Sequence, residues 1–258
     1  MRLEFGEPSP FLMRYRETVP CSQLAPYVRC YWMLSCPVPG NPQIIIPDGC
    51  SEVIFHLGDR FLRYFDDGRA EMQPLAFAVG QMERAIVIQP TGRVEVMGVR
   101  FHPAGLSAFT RIPQNELTGR MVTCEELWGP SASRRLLEDP NWIESFLLER
   151  LQPRRDLVLE RSDRQQRRRF QDLVGLSPKR LQRIQRLQFA MTQVGKRDLA
   201  AVALEAGYFD QPHFTREFRE FTGQSPSQYL REPHAFSDFF TQNVRNIQET
   251  AASDGRHS

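Results

Sequence analysis

Between residues 211 and 219 the chain carries Gln211, Pro212, His213, Arg216 and Arg219. On a helical projection the last four lie opposite Phe214, Phe218 and Phe221. Imidazole and guanidinium groups on one face offer hydrogen-bond donors to base edges and phosphates, the chemistry of a helix lying in the major groove of duplex DNA. A second set, Arg164, Gln165 and Arg168, points away from Phe170 within a stretch that holds five arginines between positions 161 and 169. Spacing alone leaves open a plain helix pair whose basic face is simply solvated.

No catalytic constellation accompanies these residues. A metal-binding β-barrel needs two or three histidines and a carboxylate near one strand, typically as H-x-H, and His56 and His102 stand alone. A DNA-repair methyltransferase fused to such a domain requires a nucleophilic Cys followed by His, whereas Cys50 is followed by Ser51. Phosphate loops of the form G-x-x-x-x-G-K and G-x-S-x-G elbows do not occur. Cys21, Cys30, Cys36, Cys50 and Cys124 are an odd set without CxxC spacing and read as reduced, mostly buried small hydrophobes. The expected site therefore has no catalytic residue, no metal ligand and no cofactor.

An internal repeat positions the two basic faces. FQDLVGLSP at 170–178 and FREFTGQSP at 218–226 share the pattern F-x-x-[LF]-x-G-x-S-P, and the same offset matches Ser162 with Asp210 and Arg168 with Arg216. Each copy predicts a capped helix with an inward Phe, a left-handed Gly just past its end, and Ser-Pro opening the next helix. Around the second copy, Asp198–Ala206 is an Ala-rich helix, Gly207 the turn and Gln211–Phe221 the helix capped by Asp210, a helix-turn-helix. Ala203 and Ala206 permit close crossing, with Leu199, Val202 and the three phenylalanines as core. The first copy is degenerate: Pro153, Arg154 and Arg155 fall where its scaffold helix should run, and Gln166 replaces Phe214. A helix from Pro178 to Val194 joins the copies, Leu181, Ile184 and Leu187 facing inward while Lys179, Arg180, Arg183 and Arg186 extend the basic surface.

Charge divides the chain in the same place. Residues 1–149 hold 14 Arg, no Lys and 18 acids (−4), whereas residues 150–232 hold 17 basic residues against 10 acids (+7). One domain suited to a polyanion and one unsuited to it is the expected meaning. Hydrophobic residues at 41% and charged residues at 25% exclude a disordered or fibrous chain. No apolar run spans a membrane, the first residues lack a secretory core, and a cytoplasmic location is expected. Short β-rich runs at Tyr27–Leu34, Gln43–Ile46, Glu52–Leu57, Phe61–Phe65, Leu75–Val79, Ala85–Gln89 and Val94–Phe101 alternate with Pro, Gly, Asn and Asp turns. The fold class is thus two domains, the first mostly β, a cupin-like barrel or sandwich with added helices, the second all-α with tandem helix-turn-helix units. The boundaries expected are 1–130 for the β-rich domain, 131–155 for a helical connection, 156–232 for the helical domain and 233–258 for a tail.

Over LAAVALEAGYFDQPHFTREFREFTGQSPSQY, residues 199–229, the sequence resembles the AraC/XylS family of bacterial transcription regulators, more weakly back to about Ser162. IPDGCSEVIFHLG at 46–58, VGQMERAIVIQPTGRVEVMGVRFHPAG at 79–105 and ELWG at 126–129 resemble a subset of the same family. The resemblance implies two recognition helices in successive major grooves of double-stranded DNA, with base contacts from Gln211, His213, Arg216 and Arg219 in the second unit, Pro212 beside them at the DNA, and Arg164, Gln165 and Arg168 in the first. It also implies a first domain that senses a small-molecule effector or forms a homodimer, RNA polymerase as a further partner, and no membrane. Two other readings stand beside it: a metal-dependent cupin-like enzyme, and a module whose arginines bind an acidic protein partner.

Overall fold

The computed structural model describes residues 13–37, 41–152 and 162–231. Ten strands fill the first half: β1 (Arg14–Thr18), β2 (Val28–Cys36), β3 (Gln43–Ile45), β4 (Glu52–His56), β5 (Phe61–Tyr64), β6 (Ala70–Met72), β7 (Ala76–Val79), β8 (Ile86–Pro90), β9 (Val94–Phe101) and β10 (Met121–Thr123). They form two antiparallel sheets, one of six strands in the order β1-β2-β9-β4-β7-β10 and one of four in the order β3-β8-β5-β6. The central strands are buried on both faces, so their alternation separates two apolar layers rather than inside from outside. On β2, Cys30, Trp32 and Leu34 join Phe61 and Ile88 between the sheets, while Tyr31 and Met33 face helices on the other side. Trp32 lies opposite Gly98 in the register, and a Cβ at Gly98 would fall 2.2 Å from the indole, so a side chain there would displace the ring.

Four helices cover the outer face of the larger sheet: α1 (Gln114–Leu117), α2 (Cys124–Trp128), α3 (Pro130–Glu138) and α4 (Ile143–Arg150). Thr123 and Glu126 close α2 with a capping box. Leu136, Ile143, Phe146 and Leu147 are buried in the same core as Val53 and Phe101. The segment read as a connection therefore contributes two helices to the first domain's core, because its apolar stripe needs a sheet to cover. Pro153, Arg154 and Arg155 lie outside the described residues.

The second half is helical: α5 (Asp163–Val174), α6 (Pro178–Gln193), α7 (Leu199–Glu205), α8 (Gln211–Thr222) and α9 (Pro226–Tyr229). The repeat's local chemistry is realised in both copies. Ser162 and Asp210 cap α5 and α8, Gly175 (φ +90°) and Gly223 (φ +80°) end them in left-handed geometry, and Ser177 and Ser225 cap α6 and α9 ahead of a first-turn proline. Leu187, Val202, Ala203, Phe214, Phe218 and Phe221 are buried in one core.

Candidate nucleic-acid interface

Helix α8 sits on α7 through small residues. Ala203 and Ala206 are buried against it, Gly207 turns the chain with φ +77°, and Tyr208 folds into the core against Phe214. Asp198 caps α7 by accepting from the N–H groups of Ala200 and Ala201, and Asp210 caps α8 by accepting from His213 N–H at 2.7 Å. Burying Phe214, Phe218 and Phe221 turns the opposite face outward. Gln211, Pro212, Arg216 and Arg219 are exposed there and, with Thr215, border one shallow open groove along the helix.

His213 departs from the expected exposed face. Its Nδ1 accepts from the N–H of Phe209 at 3.4 Å and its ring meets Tyr208 edge to face at 5.3 Å, leaving it half-buried at the start of α8. Phe209, which sequence reasoning passed over, is 86% exposed in the turn before α8. An apolar side chain in a turn otherwise rich in Gly and Asp was the available signal.

The basic surface expected along α6 divides. Arg180, Arg183 and Arg186 turn toward α8. Arg183 Nε donates to Glu217 at 2.7 Å, Arg186 Nη2 donates to both Glu217 oxygens at 2.9 and 3.0 Å, and Arg180 Nη1 donates to Glu220 at 2.5 Å. Their guanidinium planes cover the rings of Phe221 and Tyr208. Burial opposes ionisation of Glu217, but hydrogen bonds from Arg183 and Arg186 outweigh it and hold the carboxyl below its ordinary range. These arginines tie the two helices together. Lys179 alone of the four stays exposed and makes no contact of this kind among the described residues.

In the first unit Arg164, Gln165 and Arg168 are exposed on α5. Gln165 also closes the capping box, accepting from Ser162 N–H at 3.2 Å, so its oxygen is committed to the cap. Gln166 is exposed where the second unit buries Phe214. The end of α5 is held by the first domain: Thr118 Oγ1 donates to Gly175 O at 2.8 Å, and Asp172 and Leu173 face the loop carrying Thr110 and Ile112.

Further contacts form a continuous seam between the halves. Gln188 Nε2 on α6 donates to Pro47 O at 2.7 Å, Arg180 Nη2 donates to Glu83 O, and Ala85 N–H donates to Phe221 O at 2.7 Å. Ile46 is buried with the helical core, and Leu181 lies so close to Gly49 (φ +79°) that a Cβ there would come within 2.9 Å. The same segments border a cavity between the two sheets, into which Ile46, Asp48, Met82 and Ile86 project. Among the described residues no group of three or more His, Cys, Asp and Glu could hold a metal ion, and no helix is long and apolar enough to cross a membrane. Cys30, Cys50 and Cys124 are buried free thiols, and burial pushes those of Cys50 and Cys124 up to about 12.

A short helix on a small-residue scaffold, capped by Asp and basic on its outer face, defines the DNA-binding helix-turn-helix class. Residues 158–232 match the family model described as a helix-turn-helix domain, and residues 16–123 match a domain of unknown function, DUF6597. Residues 158–232 are thus a helix-turn-helix domain of the AraC type, a DNA-binding module. No curated protein matches the chain. Among solved structures it is similar to ToxT from Vibrio cholerae, at 8% identity and a TM-score of 0.40 over 86% of this chain and 98% of that one. A form of ToxT with unsaturated fatty acid bound aligns at 9% identity and a TM-score of 0.37 over 76% of this chain and 96% of that one. An ethanolamine utilization protein from Salmonella typhimurium aligns at 9% identity and a TM-score of 0.26 over 36% of this chain and 71% of that one.

Proposed function

We propose that the protein reads a specific DNA site through α8 and that its β-rich domain senses a small molecule without catalysing a reaction. In this reading Arg216 and Arg219 reach base edges or phosphates from the centre of the exposed face, Gln211 and Pro212 meet the groove at the start of the helix, and His213 orients the Phe209 turn as well as reaching outward. Arg164, Gln165 and Arg168 act mainly on phosphates, because that attraction tolerates the looser placement of a unit lacking a buried Phe. The domain limits proposed are 13–152 for the sensor, including α3 and α4, and 162–231 for the DNA-binding domain.

The observation that carries the reading is the seam. The chain segments that line the cavity with Ile46, Asp48, Met82 and Ile86 hold α6 and α8 through Pro47, Glu83 and Ala85. A change in the cavity wall is thus felt at the base of the DNA-reading helix, the physical requirement for a ligand to bias binding. Selection of bound duplexes from a random pool tests it: a defined site is expected, and recovery of no preferred sequence overturns the reading. RNA polymerase contact and a homodimer belong to the same proposal as partners of the DNA-bound state.

A further inference from the structure

The cavity between the sheets encloses about 80 Å³. That is roughly half the ~150 Å³ that holds benzene in an engineered apolar core, so a straight chain of a few carbons fills it. Its middle is hydrocarbon, from Trp32, Ile54 and Ile88. The register of β4 with β9 orders its polar groups: Glu52 lies opposite Arg100, Ile54 opposite Gly98, and His56 opposite Val96.

At the end nearest the seam, Arg100 is almost wholly buried. Its Nε donates to Glu52 at 2.6 Å and stands 3.6 Å from Asp48, while Nη1 lies 3.9 Å from Glu17. Three carboxylates share one guanidinium in a place largely shut off from water. Burial raises the Glu52 carboxyl above the usual carboxylate range, and Asp48 and Glu17 push the same way against the pull of Arg100. At the other end His56, 4% exposed, has its Nε2 3.0 Å from Gln73 Oε1, while its Nδ1 is buried with no hydrogen-bond partner among the described residues. With Nε2 protonated and donating to that oxygen, Nδ1 is a bare acceptor. His56 Nδ1 therefore calls for a donor, Trp32 Nε1 on the cavity wall is itself a donor, and the preference for a positive charge is set by the carboxylates around Arg100. An anion would meet surplus carboxylates beside a guanidinium they already neutralise.

We propose that this cavity binds a small aliphatic amine in its protonated form, the ammonium beside Glu52 and Asp48 and the chain along Trp32 and Ile88. The proposal rests on reading the first domain as the sensor. An alcohol of the same skeleton supplies the donor without the charge, and a carboxylate brings like charge to the acidic end.

Calorimetric titration of the full-length protein near neutral pH with n-butylamine, n-butanol and butyrate tests the class directly. The amine should bind about tenfold or more tighter than the alcohol, with butyrate weaker than both, as expected for a charge placed beside buried carboxylates. Glu52→Gln should remove most of that preference for the amine over the alcohol. Should that variant fold poorly, Asp48→Asn makes the same test without removing the partner closest to Arg100. Butyrate binding best, equal binding of amine and alcohol, or no binding of the amine would each overturn the proposal. The titration uses no DNA, so the two readings fail separately. An amine that binds without altering affinity for the selected DNA site upholds the ligand class and overturns the sensing role. Specific DNA binding by a protein that ignores the amine overturns the ligand class alone.

Discussion

The backbone N–H of Ala85 donates to the carbonyl of Phe221 at 2.7 Å, joining the wall of the first-domain cavity to the last turn of α8. Ile86, the next residue, projects into the cavity, and Phe221 is buried in the helical core. Gln188 makes the companion contact from α6 to Pro47 in a buried setting. Gln188→Ala leaves that carbonyl without its partner, at a cost of about 1–3 kcal/mol. Scanning calorimetry should then show one transition for the wild type and a broadened or divided one for the variant, as its halves cease to unfold together. An unchanged sharp transition would show that the seam carries little energy.

Glu217 holds Arg183 and Arg186 from a position 4% exposed, while both arginines keep about a quarter of their side chains in water. Loss of a fully buried pair costs roughly 3–5 kcal/mol, and solvent screening of the arginines reduces this to about 1–3 kcal/mol for Glu217→Ala. Urea unfolding measures it. Freeing Arg186 beside α8, while Glu220 still holds Arg183, should also steepen the salt dependence of binding to random DNA. A variant as stable as the wild type, with an unaltered salt slope, would contradict both parts.

Much of this architecture is readable from local sequence. Strands β2 to β5 and β7 to β9 announce themselves by apolar runs between turn residues, and both repeat copies by Ser, Gly and Ser-Pro at fixed offsets. β1 and β6 do not, because RYRET and AEM are polar strands at sheet edges, where one face and one side stay in water. The exposed face of α8 follows from three phenylalanines, but the partners of Arg183 and Arg186 lie 31–34 residues away on another helix. Periodicity assigns a face and leaves its neighbour unspecified, so arginines that bind α8 read the same as arginines facing DNA. The cavity was hidden for a related reason: Glu52 and Arg100 are 48 residues apart and meet only through strand register. The sole local sign was a charge at the position where VEVMGVRF alternates inward.

His56 makes stability depend on pH. Burial pushes its imidazole down to about 4, from 6.5 for the free side chain, against a hydrogen bond with Gln73 that favours the charged form. Between these values the unfolded chain takes up a proton that the folded chain does not, so stability falls as pH drops from 6.5 toward 4 and is flat above. The full loss is about 3 kcal/mol. His56→Gln should flatten the profile in that window while leaving it unchanged above pH 7, as followed by urea unfolding. A wild-type profile that is level from pH 6.5 to 4 would mean that the ring is protonated in the fold.

Arg216 and Arg168 occupy equivalent places in the repeat, yet they should behave differently on DNA. Arg216 projects from a helix whose inner face is locked by Phe214 and Phe218, with Asp210 fixing its first turn and Arg183 and Arg186 fixing its side. A guanidinium held that firmly can meet a base with both donors, and its removal should cost about 1–3 kcal/mol on the preferred site and relax choice at one base pair. Arg168 projects from a helix with Gln166 exposed in place of the buried Phe, which loosens the placement that base readout requires. Its attraction to phosphates survives that looseness. Replacing Arg164 and Arg168 together with alanine should weaken specific and random duplexes about equally and lower the salt slope by roughly two. The selected site should then contain one strong block of a few base pairs and, about one helical turn away, a weak one. Two equally strong blocks, or an Arg216→Ala protein that loses affinity equally for every sequence, would overturn this division of labour.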